Sequence, residues 1–216
     1  MNNPLLCLRQ LVLSRGALPE LTLDFAAGVH LIVGPNGIGK TSLLNCIAGT
    51  LPPRSGTLTL DDQPLKTRSA AVVLAPNMPP DISWIRARLL FDFVVSLYPA
   101  SRVAPDEAES ILVALNLPPN VDAPLGTLSA GTARKLMLAA ALAARPPVML
   151  FDEPTNEIDA AASDAFRTMI AAIAPRHVVL ITTHHASDLA SLGGQVLDLA
   201  ALQPALMGSK RGVGGR

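Results

Sequence analysis

The nine residues Gly34-Pro35-Asn36-Gly37-Ile38-Gly39-Lys40-Thr41-Ser42 restrict the fold more than any other part of the chain. They follow an apolar run, Val29 to Val33, and lead into Leu43-Leu44-Asn45-Cys46-Ile47-Ala48-Gly49. Buried strand, glycine loop and amphipathic helix, in that order, form the setting that a phosphate-binding loop requires. Glycines at 34, 37 and 39 let the backbone fold back and aim successive N–H groups inward. The helix starting near Lys40 adds the positive end of its dipole to the same spot. Lys40 is then placed for the β- and γ-phosphates, and the Thr41 hydroxyl for Mg²⁺. A mere glycine turn with a surface lysine would need none of these flanks. The loop predicts binding of a nucleoside triphosphate.

The length, 216 residues, suits one domain or one domain with a sizeable insert. Half of the residues are apolar and the mean hydropathy is +0.39. Yet the longest apolar stretch, Leu136 to Ala144, ends at Arg145 and two prolines, short of a bilayer span. Met1-Asn2-Asn3-Pro4 lacks the basic-then-apolar order of a secretory signal. The apolar excess therefore calls for a thick core or a protein partner. Charge is balanced, 17 basic against 17 acidic residues, so no nucleic-acid partner is expected. Cys7 and Cys46 have no metal-ligand spacing and read as buried thiols of a reducing compartment, with neither a disulfide nor zinc.

Taken in order, residues 5–13 and 20–25 read as two strands of a half-buried antiparallel sheet, joined by a turn at Ser14-Arg15-Gly16. After strand 29–33 and helix 41–49 come a short strand, Thr57 to Leu60, and an apolar strand, Ala70 to Ala75, stopped by Pro76. The pattern then turns helical, over Trp84 to Tyr98, Pro105 to Leu115 and Ser129 to Ala144. Strand-like runs return at Val148–Phe151, Val178–Thr182 and Gln195–Leu199, with helices at 160–173 and 186–191 between them. Strands alternating with helices imply an α/β fold with a mainly parallel sheet covered on both faces. Residues 77–145 form an all-helical insert in a core made of 1–76 and 146–207, and the glycine-rich basic tail 208–216 is expected to be mobile.

Four further sites accompany the loop. Val148-Met149-Leu150-Phe151-Asp152-Glu153 is an apolar strand delivering two carboxylates at its end. Asp152 suits Mg²⁺, and Glu153 suits the polarising of an attacking water; a solvated acidic turn is the plainer alternative. Leu128-Ser129-Ala130-Gly131 opens a helix, where Ser129 is equally a good N-cap. Thr155-Asn156-Glu157-Ile158-Asp159 opens the next helix, and Asp159 is equally a cap. Val178 to Thr183 ends in His184 and His185; at a strand tip beside a phosphate loop, His184 is favoured for a γ-phosphate contact over a structural role.

With these five motifs in order, the chain resembles an ATP-binding cassette (ABC) ATPase over residues 5–200. Gly34–Ser42 matches that family's Walker A motif, Val148–Glu153 its Walker B with the catalytic glutamate, Asn156–Asp159 its D-loop and His184 its switch histidine. Leu128–Thr132 matches its signature motif. The resemblance implies a P-loop NTPase core with an antiparallel β subdomain and an inserted helical subdomain. It implies two Mg·ATP clasped between two chains, as homodimer or heterodimer, with Ser129 and Gly131 of one closing over the γ-phosphate held by the other. Hydrolysis would then drive separate transmembrane permease subunits from the cytoplasmic face of the membrane. A soluble ABC ATPase without a transport role, or a nucleotide-gated module of low turnover, is the alternative.

Three departures from the family pattern stand out. Asn77 occupies the place of a glutamine that reaches the metal and the attacking water, and is one methylene shorter. The signature reads Ser-Ala-Gly-Thr, with Thr132 for the commoner glutamine. No aromatic lies at 14–17 to stack on adenine, which leaves Arg15 as the stacking group. The segment Met78 to Tyr98, with Trp84, Ile85, Leu89, Leu90, Phe91 and Phe93, reads equally as a docking surface for the membrane partner and as core.

Overall fold

The structure, a computed structural model, describes residues 3–67, 69–78, 81–118, 122–184, 189 and 191–202. An apolar run without polar alternation is stable as a strand only where both its faces are covered. Strands β3 (Gly28–Val33), β7 (Val148–Asp152) and β8 (Val178–Thr182) are such runs, and they form the middle of one sheet. With β6 (Val72–Ala75) and β9 (Gln195–Asp198) the order is β6-β7-β8-β3-β9, every pair parallel. Side chains of a strand alternate between faces, so each central strand feeds two cores. Met149, Phe151, Val179 and Ile181 pack with helices α2 (Ala87–Ser96), α3 (Pro105–Ala114), α4 (Ala130–Ala144) and α5 (Ala160–Ile173). Val148, Leu150, Val178 and Leu180 pack with α1 (Lys40–Ile47) and the second sheet.

That second sheet is antiparallel, ordered β2-β1-β4-β5 from β1 (Leu5–Val12), β2 (Leu21–Ala26), β4 (Ser55–Leu60) and β5 (Gln63–Pro64). Leu6, Leu8, Leu21 and Phe25 point inward from it, as the alternation predicts. The two-residue β5 has no counterpart in the sequence reading, because a proline at a short edge strand carries no strand pattern. The helical segment shares one continuous core with the parallel sheet. In α4 every residue from Ala133 to Ala144 is buried, and its many alanines let it sit close to α2, α3 and β6.

One expectation shifts. The helix expected from Trp84 begins at Ala87, because Leu125 N–H donates to Ile85 O and Ala87 N–H to Ala123 O, which holds Arg86 extended against Pro124. The helix expected at 186–191 falls mostly outside the described residues, as do His185 and the tail 208–216. Both cysteines are free and buried, and burial pushes the Cys46 thiol up to about 11. Among the described residues no helix is long and apolar enough to cross a membrane.

Candidate active site

The site is built where β3, β7 and β8 end on the same edge of the parallel sheet. From β3 the chain enters the glycine loop, and α1 leaves it with Gly39 as N-cap. Gly39 sits at φ 123, in the left-handed region that side chains rarely tolerate, and an added Cβ would press on Leu18 at 3.2 Å. The loop curls around a cavity of about 180 Å³ lined by Gly16, Asn36, Gly37, Gly39, Lys40, Thr41, Ser42 and Glu153. Lys40 is only 6% exposed; its ammonium donates to Gly34 O at 2.8 Å and Pro35 O at 3.4 Å, across the mouth of the loop. Backbone N–H groups, a helix dipole and a cation thus converge on one small volume, which selects an anion such as a phosphate.

From β7 come the two carboxylates. Asp152 is 4% exposed and accepts two hydroxyl hydrogen bonds, from Thr41 Oγ1 at 2.9 Å and from Thr182 Oγ1 at 2.6 Å. Thr182 closes β8 and also accepts from Glu153 N–H at 2.9 Å, so one buried hydroxyl fixes both acidic residues. Hard divalent cations such as Mg²⁺ prefer a few oxygen ligands with the rest left to phosphate and water. The adjacent oxygens of Thr41 and Asp152 fit that requirement.

Glu153 is held at every polar atom. Its backbone has φ 51, a strained value for a residue with a side chain. Oε1 lies 2.6 Å from His184 Nε2, and Oε2 accepts from Asn156 Nδ2 at 2.6 Å and Asn77 Nδ2 at 3.4 Å. Its carbonyl accepts from Arg134 Nη1 at 2.8 Å. His184 therefore meets the carboxylate directly, and the Asn77 amide reaches that same carboxylate rather than Thr41 or Asp152.

Ser129 and Gly131 do not line the cavity. Ser129 caps α4, its hydroxyl accepting from Thr132 N–H at 3.2 Å and sharing a hydrogen with the Thr132 hydroxyl at 2.8 Å. Asp159 caps α5 through Ala162 N–H at 2.9 Å and pairs with Lys135 at 3.0 Å; those two contacts hold its carboxyl below its usual value. The capping readings of both residues are thus realised. Arg15 is exposed and its neighbour Gly16, rather than Arg15, lines the cavity. Sequence reasoning missed Thr182 and Arg134 and gave Asn156 no role of its own. The cue for Thr182 was a threonine ending an apolar strand, and for Asn156 an asparagine three residues past Glu153.

A glycine loop closed by a lysine, a paired Asp-Glu strand end and a serine-capped helix in one fold have a known counterpart. Residues 18–156 match the family profile described as ABC transporter. The chain belongs to the ABC transporter family. It is an ATPase domain of the ABC type. It is 35% identical over 215 residues to the cytochrome c biogenesis ATP-binding export protein of Rhodobacter capsulatus, covering 96% of this chain and 94% of that one. An uncharacterized ABC transporter ATP-binding protein of Mycobacterium tuberculosis is 30% identical over 195 residues. There the match takes in 83% of this chain but 58% of the relative, so the chain spans little more than half of that protein's length. Among solved structures, a putative ABC transporter ATP-binding protein from Pyrococcus furiosus has a TM-score of 0.74, at 24% identity, covering 91% of this chain and 98% of that one. That likeness concerns the fold.

Proposed function

We propose that this chain binds Mg·ATP at residues 34–42 and hydrolyses it with Glu153 as general base, to drive translocation by separate membrane subunits. The observation that carries the reading is the Glu153 carboxylate, fixed by His184, Asn156 and Asn77 at the rim of the cavity that Lys40 closes. Water attacks the γ-phosphorus as its proton passes to Glu153; the bond from γ-phosphorus to the bridging oxygen breaks, and ADP leaves. Lys40 moves from the loop carbonyls to the phosphate oxygens and offsets their charge. His184 holds the carboxylate towards the water. Thr41 and Asp152 would hold Mg²⁺, which when bound neutralises charge on the phosphate oxygens. Ser129 and Gly131 lie off this cavity, which supports their use on the nucleotide of a second chain, with Asp159 fixing the neighbouring helix start.

The outer face of α2 supports the membrane role. Ala87, Leu90, Phe91 and Val95 are buried, whereas Leu89, Phe93 and Leu97, one turn apart in succession, are 61%, 57% and 51% exposed. Trp84 and Met78, in the segment between Asn77 and α2, are each 76% exposed. An apolar strip of this kind fits a helix of a membrane subunit on the cytoplasmic side, and Asn77 would pass its movement to Glu153. The near full-length likeness to an export protein supports outward transport. Mass measurement in Mg²⁺ with a non-hydrolysable ATP analogue tests the two-chain arrangement. Doubling of the 22.5 kDa chain supports it, and an unchanged mass at saturation contradicts it.

A further inference from the structure

Arg134 stands in α4 just beyond Gly131 and is 6% exposed. Its guanidinium forks between two segments that are remote in sequence. Nη1 donates to the Glu153 carbonyl at 2.8 Å, and Nη2 donates to both the backbone carbonyl and the side-chain oxygen of Asn77. Arginine only donates and a carboxylate only accepts. The Asn77 amide therefore has one orientation: its oxygen faces Arg134, and its Nδ2 is sent to Glu153 Oε2. The arginine and the carboxylate thus impose the same orientation on the amide from its two sides.

The same fork bears on the strained backbone of Glu153. A φ of 51 turns the residue out of the strand geometry that β7 has up to Asp152. Such a conformation persists only when its surroundings over-determine it. Thr182 fixes the Glu153 N–H and Arg134 fixes its carbonyl, so the two clamp the peptide units on either side of the strained Cα. Stability alone explains Arg134 poorly. Its Nε is buried without a hydrogen-bond partner among the described residues, so burying this cation carries a cost that its contacts do not fully offset.

We propose that Arg134 is a positioning residue for hydrolysis: from the helix that carries Ser129 and Gly131, it orients Asn77 and the backbone of Glu153 so that the carboxylate faces the attacking water. Arg134 does not line the cavity, and acts through these two residues. The inference rests on the reading of Glu153 as general base. It ties the start of α4 and the segment after β6 to a single carboxylate, so α4 cannot shift without moving the base.

The test is steady-state ATP hydrolysis by the full chain as wild type, R134K, N77A and the double variant, with nucleotide affinity measured beside it. Lysine keeps the charge but loses the fork. A misplacement of about 1 Å at a catalytic group costs on the order of 100-fold in rate. R134K is therefore expected to lose roughly 30- to 100-fold in kcat, with KM and Mg·ATP affinity within about 3-fold of wild type. The double variant is expected to fall no more than about 3-fold below the slower single variant, since both changes release one carboxylate. R134M, which keeps the length without a buried charge, serves if R134K melts far below wild type, with the same expectation. Retention of kcat within about 3-fold in the folded variant, a loss confined to affinity, or multiplying effects in the double variant would overturn the proposal. A wild type without turnover would instead overturn the hydrolytic reading itself.

Discussion

The Thr182 hydroxyl is the cheapest atom to remove at the centre of the site. Threonine to valine keeps the shape of the side chain and deletes only the oxygen. In the structure that oxygen donates to Asp152 Oδ1 at 2.6 Å and accepts from Glu153 N–H at 2.9 Å, in a residue with no exposed surface. Asp152 would keep one hydroxyl donor, Thr41, and a hydrogen bond to a charged group is worth roughly 1.5–3 kcal/mol. Glu153 N–H would keep the Thr182 carbonyl at 3.2 Å, so its loss is partial, below about 1 kcal/mol. T182V should therefore cost about 2–4 kcal/mol, and for a chain of this size lower the melting temperature by roughly 4–16 °C. T182S keeps the oxygen and loses a methyl, at about 1 kcal/mol. Thermal unfolding by circular dichroism, run beside ATP hydrolysis, compares the three proteins. T182S should hydrolyse within a few-fold of wild type and T182V far more slowly. A T182V protein that melts within a degree of wild type and turns over at the same rate would refute the placement of both carboxylates by this residue.

Other expectations concern the flanks of the site. Burial, with help from the nearby charges of Arg145 and Arg176, holds the His177 imidazole below its ordinary 6.5, while its Nδ1 lies 3.0 Å from Pro146 O. Below pH 6.5 the unfolded chain binds a proton that the folded one refuses, so stability should fall on acidification through and below that value. H177Q should flatten this slope in denaturant titrations across the range, and an unchanged slope would remove His177 as its source. L89D/F93D lies on the exposed strip of α2, so basal hydrolysis and melting should stay near wild type while co-purification with membrane subunits is lost. Retained co-purification would move the docking surface elsewhere. An added Cβ at Gly131 would meet Glu157 O at 2.4 Å, so G131A should destabilise by roughly 1–3 kcal/mol in chemical unfolding; a neutral result would show that the 157 segment gives way freely.

What was legible in the sequence was local or periodic. The glycine loop is one continuous segment, and its flanking strand and helix stand where their patterns put them. Val148 to Phe151 and Val178 to Ile181 are apolar without interruption, and both lie inside a parallel sheet. Ser129 and Asp159 each cap the helix that their residue type announced. What was not legible needed distant partners. Arg134 and Asn77 meet across 57 positions, and Thr182 reaches Asp152 across 30. A lone arginine on a helix and a threonine at a strand end look alike whether they face solvent or a buried acidic residue. The start of α2 was displaced for the same reason, since Arg86 bridges to Pro124 in a distant turn. The strand order β6-β7-β8-β3-β9 likewise depends on packing and has no counterpart in periodicity.

The central claim is that Glu153, at the rim of the Lys40 cradle, takes the proton from water. Phosphate release by E153Q, at ATP levels where its binding matches wild type, tests it most directly. Loss of a general base predicts a fall of roughly 100- to 10,000-fold with Mg·ATP still bound. A rate equal to wild type would contradict the account.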